Sequence, residues 1–256
     1  MNSDPWAGID VTDAHAHANR ALVPRLLATM EDTGLSAAFL VAGGVVPPEE
    51  LSRTILTEGP GRDVDADNAD LLDAVKGENR LEVFYFANTR RAADETDLEL
   101  IRGCAGIKFA PGVHGVGHLD PRVQSYVDIA RAESLPVYAH CIGNGHLSVE
   151  QYARLARRNP EVDFLLGHAG RGNFDLLAAH EIRSAQNVLF ETSGGFDHVI
   201  REAITVLGPE RVVFGSEFPI QHPRVELTKL ALAVPDAALP AVLGGNIRRV
   251  TRGAGQ

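Results

Sequence analysis

The chain has 256 residues, 45% of them hydrophobic, which suits one large domain. Its 34 acidic residues outnumber 24 lysines and arginines, giving a formal charge of −10, and no basic block stands out, so nucleic acid is not an expected partner. The N-terminal stretch MNSDPWAGID has neither a basic start nor an apolar core, and no window approaches the roughly 18 unbroken apolar residues of a membrane span. A soluble, unexported, cytoplasmic protein without a membrane partner is therefore expected.

The cysteine content fits the same compartment. Cys104 and Cys141 are too few for a disulfide framework, and both lie inside apolar runs. We expect them to be small buried hydrophobic residues in a reducing environment.

Short apolar runs rich in β-forming residues alternate along the chain with stretches of helical periodicity. In chain order the runs are 9–15, 36–43, 81–88, 104–110, 135–141, 162–168, 187–193 and 211–217. Between runs, apolar residues recur at helical spacing, most clearly at Leu22, Leu26, Leu27 and Met30, and at Val123, Val127, Ile129 and Ala130. This alternation predicts parallel βαβ units.

Closure of these units into a barrel is favoured over an open sheet. Several runs are almost continuously apolar, as expected of strands covered on both faces, but both architectures share that property. The eight runs and the lack of a Gly-x-Gly-x-x-Gly turn after the first favour the barrel, which needs about 250 residues. The predicted fold is therefore a single α/β domain over residues 1–256, a (β/α)8 TIM barrel. The segment 44–64, rich in Pro and Gly, is predicted to be a loop or lid with a short helix.

The first strand ends in polar residues with a spacing of two. Asp13, His15 and His17 are therefore expected on one face, which in a barrel is the interior. Two imidazoles at the end of one strand can hold one metal ion. Asp13 can hydrogen-bond a ligand imidazole and fix its tautomer, with a cap or turn role as the competing interpretation.

Other residues with useful chemistry follow later strands. His140, His168 and Glu217 come directly after the fifth, sixth and eighth runs. A single histidine at such a place is more often structural. However, active sites of barrels are built at the carboxyl ends of several strands, so the shared position of these residues predicts a catalytic centre around a divalent metal.

Seven phrases strengthen this interpretation because they occur in the order typical of one family. They are DAHAHAN, GIKFAP, PVYAHCIG, FLLGHAGRG, FETSG, RVVFGSEFP and LGGNIRRV. Over about residues 9 to 250 the chain resembles the amidohydrolase-related family of the amidohydrolase superfamily, which includes decarboxylases such as aminocarboxymuconate semialdehyde decarboxylase. The resemblance implies metal ligation by His15, His17 and His140, with His168 acting on water or substrate beside the metal.

The family usually has an aspartate after the eighth strand, whereas this chain has Glu217. The extra methylene displaces the carboxylate by roughly 1.5 Å, while metal–ligand distances are held within about 0.2 Å. Glu217 can ligate the metal in another rotamer, reach it through water or act only as a base. A role close to the metal is the favoured interpretation.

Three imidazoles and a carboxylate suit Zn²⁺ best, although Mn²⁺, Fe²⁺, Co²⁺ and other imidazole-binding ions remain alternatives. Bound metal lowers the pKa of water from about 15.7 to about 7, and His168 or Glu217 would then handle the proton.

Lys108 is comparable to the carboxylated lysine that bridges two metals in other amidohydrolases, or it binds an acidic substrate. His114 and Arg171 follow the fourth and sixth strands, where they can orient a substrate carboxylate or be ordinary loop residues.

Three functions fit these observations. The first is metal-dependent hydrolysis of a small-molecule amide, lactone or ester, and the second is non-oxidative decarboxylation. The compact chain favours the first, because decarboxylases of the family are often longer. The third is a metal-free binding protein, suggested by Glu217. A homodimer is the expected assembly, because twofold dimers are the commonest oligomers of soluble proteins.

Overall fold

A parallel sheet of eight strands runs through the chain in sequence order. The structure is a computed structural model that describes residues 4–43, 49, 63–141 and 145–251. The strands, β1 to β8, are Val11–His17, Leu35–Val41, Leu81–Phe86, Gly106–Phe109, Val137–His140, Phe164–Gly167, Val188–Glu191 and Val212–Val213. All eight predicted strands are confirmed.

The sheet closes on itself between the segment after β8 and β1. The backbone N–H of Ala14 donates to the carbonyl of Phe214 at 2.9 Å, and that of His17 donates to the carbonyl of Phe218 at 2.6 Å. Ala16 and Phe218 form a parallel bridge. The predicted (β/α)8 barrel is therefore confirmed.

Helices lie between the strands. In the described residues α1 to α10 are Val23–Thr33, Asn68–Ala74, Glu95–Ile101, Pro111–His114, Pro121–Ala132, Val149–Arg158, Ala178–Ile182, Asp197–Leu207, Pro223–Ala233 and Asn246–Val250. Local sequence explains their ends. Pro24 lies in the first turn of α1, and Gly34 ends that helix in the left-handed conformation with φ of 74°. Asp120 caps α5 by accepting the backbone N–H of Arg122. The apolar spacings that predicted α1 and α5 are both confirmed.

The core has two layers. Side chains inside the barrel form one cluster, in which the rings of Phe39 and Phe84 pack edge to face with centroids 5.4 Å apart. The opposite faces of the strands pack against the helices in a larger cluster. Burial of each such side chain contributes about 1.5–3 kcal/mol.

The alternation predicted for β1 is interrupted. The pairing of β1 with β2 shifts register between Asp13 and Ala16. Ala14 consequently packs with the inner cluster, whereas Ala16 packs with the outer one. A strict period of two across Asp13, His15 and His17 is therefore not kept, and Asp13 has different surroundings from the two histidines.

The lid predicted at 44–64 lies almost wholly outside the described residues. Of its end, Asp63 accepts a hydrogen bond from Asn88 Nδ2 at 2.7 Å. Across the described part of the chain, no helix combines the length and the apolar character needed to cross a membrane.

Candidate metal centre

The predicted metal-site residues come together at the carboxyl ends of the strands. His15 and His17 end β1, and His140 ends β5. His168 and Glu217 follow β6 and β8, and both have left-handed backbones, with φ of 57° and 62°. For residues other than glycine this conformation costs about 1–3 kcal/mol and is concentrated at functional sites.

Glu217 lies at the centre of this group. Its Oε2 is 3.1 Å from His15 Nε2 and 3.0 Å from His168 Nδ1, and its Oε1 is 3.4 Å from His17 Nε2. The backbone N–H of Glu217 donates to the carbonyl of His15 at 2.9 Å, which ties the end of β8 to β1. The longer side chain therefore brings both carboxylate oxygens to the imidazoles.

The donor atoms fit a divalent cation. Ligand atoms of His15, His17 and Glu217 all lie within 4.8 Å of one another. His17 Nδ1 contacts the carbonyl oxygen of Gly43, which leaves Nε2 as its ligating nitrogen. Among the described residues, buried Glu217 Oε2 and His140 Nε2 have no partner with hydrogen-bond geometry. Two imidazoles and a carboxylate with a further imidazole nearby are a typical donor set for zinc.

His140 is beside this group rather than in it. Its ring centroid is 5.9 Å from that of His168. It is not part of the three-residue cluster found among the described residues. Its role as a ligand therefore remains a prediction.

The pKa shifts at the site favour the protonation states in which these side chains bind a metal ion. Burial and nearby Lys108 lower the pKa of His15 well below its usual value, and the same two causes lower that of His140. Burial would raise the pKa of Glu217, but the imidazoles of His168, His15 and His17 outweigh it and hold the pKa well below its usual value. Neutral imidazoles and an ionised carboxylate are the states that bind metal.

Lys108 is buried next to His15, one of the candidate metal ligands. Its Nζ is 3.5 Å from His15 Nε2 and 3.7 Å from the centroid of the Tyr138 ring. Burial lowers its pKa to about 7. In the described part of the chain no carboxylate lies within ion-pair distance of Lys108 Nζ, although the charges of Glu217 and Glu191 act on it from farther away.

A hydrogen-bonded group around Glu191, next to His168, was not predicted from the sequence. Glu191, fully buried at the end of β7, accepts hydrogen bonds from the Tyr138 hydroxyl at 2.7 Å and from the backbone N–H of His168 at 2.9 Å. It also accepts from the hydroxyl of Ser193, whose Oγ is 3.1 Å from His168 Nδ1. An acid that ends an apolar strand, in the phrase FETSG, was the available signal.

Asp13 accepts hydrogen bonds from backbone N–H groups. Its Oδ1 accepts the N–H groups of His15 at 3.0 Å and Ser216 at 2.9 Å. Burial raises its pKa to about 7. The contacts found are those of a residue that joins β1 to the segment after β8, in place of the predicted hydrogen bond to an imidazole.

The two predicted substrate-orienting residues already have protein partners. His114 is buried, with Nε2 3.1 Å from the carbonyl oxygen of Val64 and Nδ1 3.3 Å from Thr89 Oγ1. Arg171 donates to Asp175 at 3.0 Å and to both oxygens of Glu181 at 2.8 Å. These contacts favour structural roles, and their part in substrate binding remains a prediction.

The amidohydrolase sequence family matches residues 12–252. The chain belongs to this family. The resemblance stated from the seven phrases is thereby confirmed, and the amidohydrolase family is one of enzymes. No curated protein sequence gives a match.

Solved structures with the same fold include enzymes of both reaction types. A 5-carboxyvanillate decarboxylase from Novosphingobium aromaticivorans, complexed with manganese, has a TM-score of 0.69 at 15% identity over 96% of this chain and 97% of that chain. A probable 2-pyrone-4,6-dicarboxylic acid hydrolase from Acinetobacter baumannii has a TM-score of 0.68 at 14% identity over 95% and 99%. An amidohydrolase from Burkholderia multivorans with bound zinc has 0.65 at 18% over 94% and 99%. At these identities the similarity establishes a shared fold.

Proposed function

We propose that this protein is a metal-dependent hydrolase of a small-molecule amide, lactone or ester. The observation that carries the proposal is the approach of His15, His17 and Glu217 ligand atoms to within 4.8 Å of one another, with His168 Nδ1 3.0 Å from the same carboxylate. A cation site and a proton-transfer group are thus in contact, as hydrolysis of a carbonyl compound requires.

Each residue has a defined part in this proposal. His15, His17 and Glu217 hold the cation, for which zinc is the favoured ion, and His140 provides a further imidazole. A divalent metal bound there would polarise a substrate carbonyl and lower the pKa of a water molecule. His168 accepts a proton from the attacking group and returns it to the leaving group.

Decarboxylation is the second candidate because of Lys108. A buried ammonium group 3.5 Å from His15 Nε2 can pair with a substrate carboxylate at the site.

Metal content tests the site itself. Protein purified without added metal should carry about one zinc or similar ion per chain. The His15→Ala/His17→Ala double variant and Glu217→Ala should lose that ion. His180→Ala is the control, because this exposed histidine pairs only with Glu202 among the described residues, at 2.8 Å. A wild-type protein that neither carries nor takes up metal would leave the barrel as a metal-free binding protein.

The reaction is tested with two substrate panels in ¹⁸O-labelled water. Hydrolysis of lactones, esters or amides should place ¹⁸O in the acid product. Release of CO₂ from carboxylated phenols without ¹⁸O incorporation would refute hydrolysis and establish decarboxylation. The Lys108→Met variant distinguishes them further, since loss of the ammonium group should raise KM most for a substrate whose carboxylate it binds.

A further inference from the structure

Four donors converge on Glu191, which is fully buried. Its Oε1 accepts the backbone N–H of Ser193 at 2.5 Å. Its Oε2 accepts the backbone N–H of His168, the Tyr138 hydroxyl and the Ser193 hydroxyl at 2.9, 2.7 and 2.9 Å. Because backbone N–H groups only donate, both oxygens must act as acceptors, as those of a carboxylate do.

This arrangement determines where the Ser193 proton lies. A serine hydroxyl has one proton to donate, and Ser193 gives it to Glu191. Ser193 Oγ therefore presents a lone pair to His168 Nδ1, 3.1 Å away. The nearer oxygen of Glu217 is 3.0 Å from the same nitrogen but lacks hydrogen-bond geometry. Ser193 Oγ is thus the acceptor that requires an N–H at Nδ1.

We propose that Glu191 and Ser193 are positioning residues that keep the proton of neutral His168 on Nδ1 and leave Nε2 free to accept one. The role in proton transfer rests on the proposed function, whereas the tautomer itself does not. Glu191 also holds the Tyr138 hydroxyl, and the Tyr138 ring stacks on His15 with centroids 4.3 Å apart. One buried carboxylate therefore orients the proton-transfer residue and supports a metal-site imidazole.

Nitrogen NMR of the zinc-loaded, ¹⁵N-histidine-labelled enzyme tests the tautomer directly. His168→Gln identifies the His168 signals by their loss. Wild type should show a protonated-type shift at Nδ1 and an unprotonated-type shift at Nε2. Ser193→Thr, which keeps the hydroxyl, should preserve that pattern, and Ser193→Ala should lose the preference for Nδ1.

Two further variants sharpen the comparison. Glu191→Gln replaces an acceptor oxygen by a donor NH₂, which frees the Ser193 proton to face His168 and should move the ring proton to Nε2. Thr192→Val is the matched control, because the neighbouring hydroxyl of Thr192 is also buried but has no hydrogen-bond partner among the described residues. It should behave as wild type.

Kinetics provide the second readout. In Ser193→Ala, kcat should fall roughly 10- to 100-fold, as when outer partners of a site are removed, with KM nearly unchanged. Wild-type His168 protonated at Nε2, or unchanged NMR patterns in both Ser193→Ala and Glu191→Gln, would overturn the tautomer assignment. An unchanged kcat in Ser193→Ala would overturn the catalytic consequence. Absence of hydrolysis by wild type would refute the proposed function while the NMR result still stood.

Discussion

Close packing around Glu191 makes one glycine essential to the site. A Cβ on Gly215 would lie 2.2 Å from Glu191 Oε1 and 2.8 Å from its Cδ. The carboxylate cannot yield freely, because its oxygens accept from Ser193 and from His168. The segment after β8 can therefore pass this close to the end of β7 only without a side chain at position 215.

Gly215→Ala should consequently displace Glu191 and disturb His168. We expect catalytic activity to fall at least about tenfold and the free energy of unfolding to fall by about 1–3 kcal/mol, the usual cost of overpacking. Gly103→Ala is the control, because a Cβ there has its nearest contact at 3.4 Å. Measurement of kcat/KM and of urea unfolding on both variants checks the prediction, and equal behaviour of the two would contradict it.

Among the helices, α3 shows most clearly how a local sequence signal is used by the tertiary structure. Asp94 and Asp97 form a capping box at its N-terminus. Asp97 is also 1% exposed and accepts from Arg91 Nη2 at 2.7 Å and from the Tyr126 hydroxyl at 3.2 Å. Burial alone would raise the pKa of Asp97, but hydrogen bonds from Arg91 and Tyr85 hold it below the usual value.

This lowered pKa predicts how stability depends on pH. The ionised form is stabilised by folding, so the contribution is complete above the unfolded pKa of about 3.9 and is lost as the pH falls through the lower folded pKa. Asp97→Asn should reduce the free energy of unfolding at pH 7 by about 1–3 kcal/mol, because it removes the charge of a buried carboxylate that accepts hydrogen bonds from Arg91 and Tyr126.

Denaturant unfolding of both proteins from pH 7 down to pH 2 measures this difference. The gap between wild type and Asp97→Asn should narrow below about pH 4. Asp128→Asn serves as the control, since its ion pair with Arg131 is half exposed and should contribute less than about 1 kcal/mol. A gap that stays constant down to pH 2 would rule out this role of Asp97.

For the molecule as a whole, the metal site depends on closure of the barrel. His15 and His17 come from β1, and Glu217 comes from the segment after β8, about 200 residues later in the chain. The backbone hydrogen bonds from Ala14 to Phe214 and from Glu217 to His15, both 2.9 Å, join the two ends there. A cation bound by these residues crosslinks the first and last strands of the barrel.

Removal of metal should therefore lower global stability. Occupancy at 100 times the dissociation constant contributes about 2.7 kcal/mol, which corresponds to a Tm change of roughly 5–10 °C for a domain of this size. Differential scanning calorimetry with and without a chelator measures the shift. The His15→Ala/His17→Ala variant should show no response, and a wild-type Tm indifferent to chelator would refute coupling of the site to the fold.

The periodicity of the sequence was sufficient to predict the barrel architecture, because apolar runs and helical spacing are both patterns among neighbouring residues. Apolar runs predicted all eight strands, and 3.6-residue spacing predicted α1 and α5. The rim positions of His15, His140, His168 and Glu217 also followed, since residues that directly follow parallel strands meet at one end of a barrel.

Contacts between distant segments could not be predicted in this way. The shift of register between Asp13 and Ala16 breaks the period of two, and nothing in the local pattern marks it. Glu191 and Tyr138 are ordinary strand residues and Ser193 an ordinary turn residue until packing brings their hydroxyls and carboxylate within 2.9 Å. The partners of His114 and Arg171 likewise lie on other segments of the chain or on a nearby loop.

The sequence by itself therefore determined the barrel, the family and the end of the barrel that carries the chemistry, because spacing and strand ends are properties of neighbouring residues. Only the tertiary structure decided that Glu217 reaches three imidazoles and that Glu191 accepts a hydrogen bond from the backbone of His168. Hydrogen bonds and ligand contacts depend on distances of about 3 Å between side chains from different strands. Those distances are set by strand register, backbone conformation and packing in three dimensions.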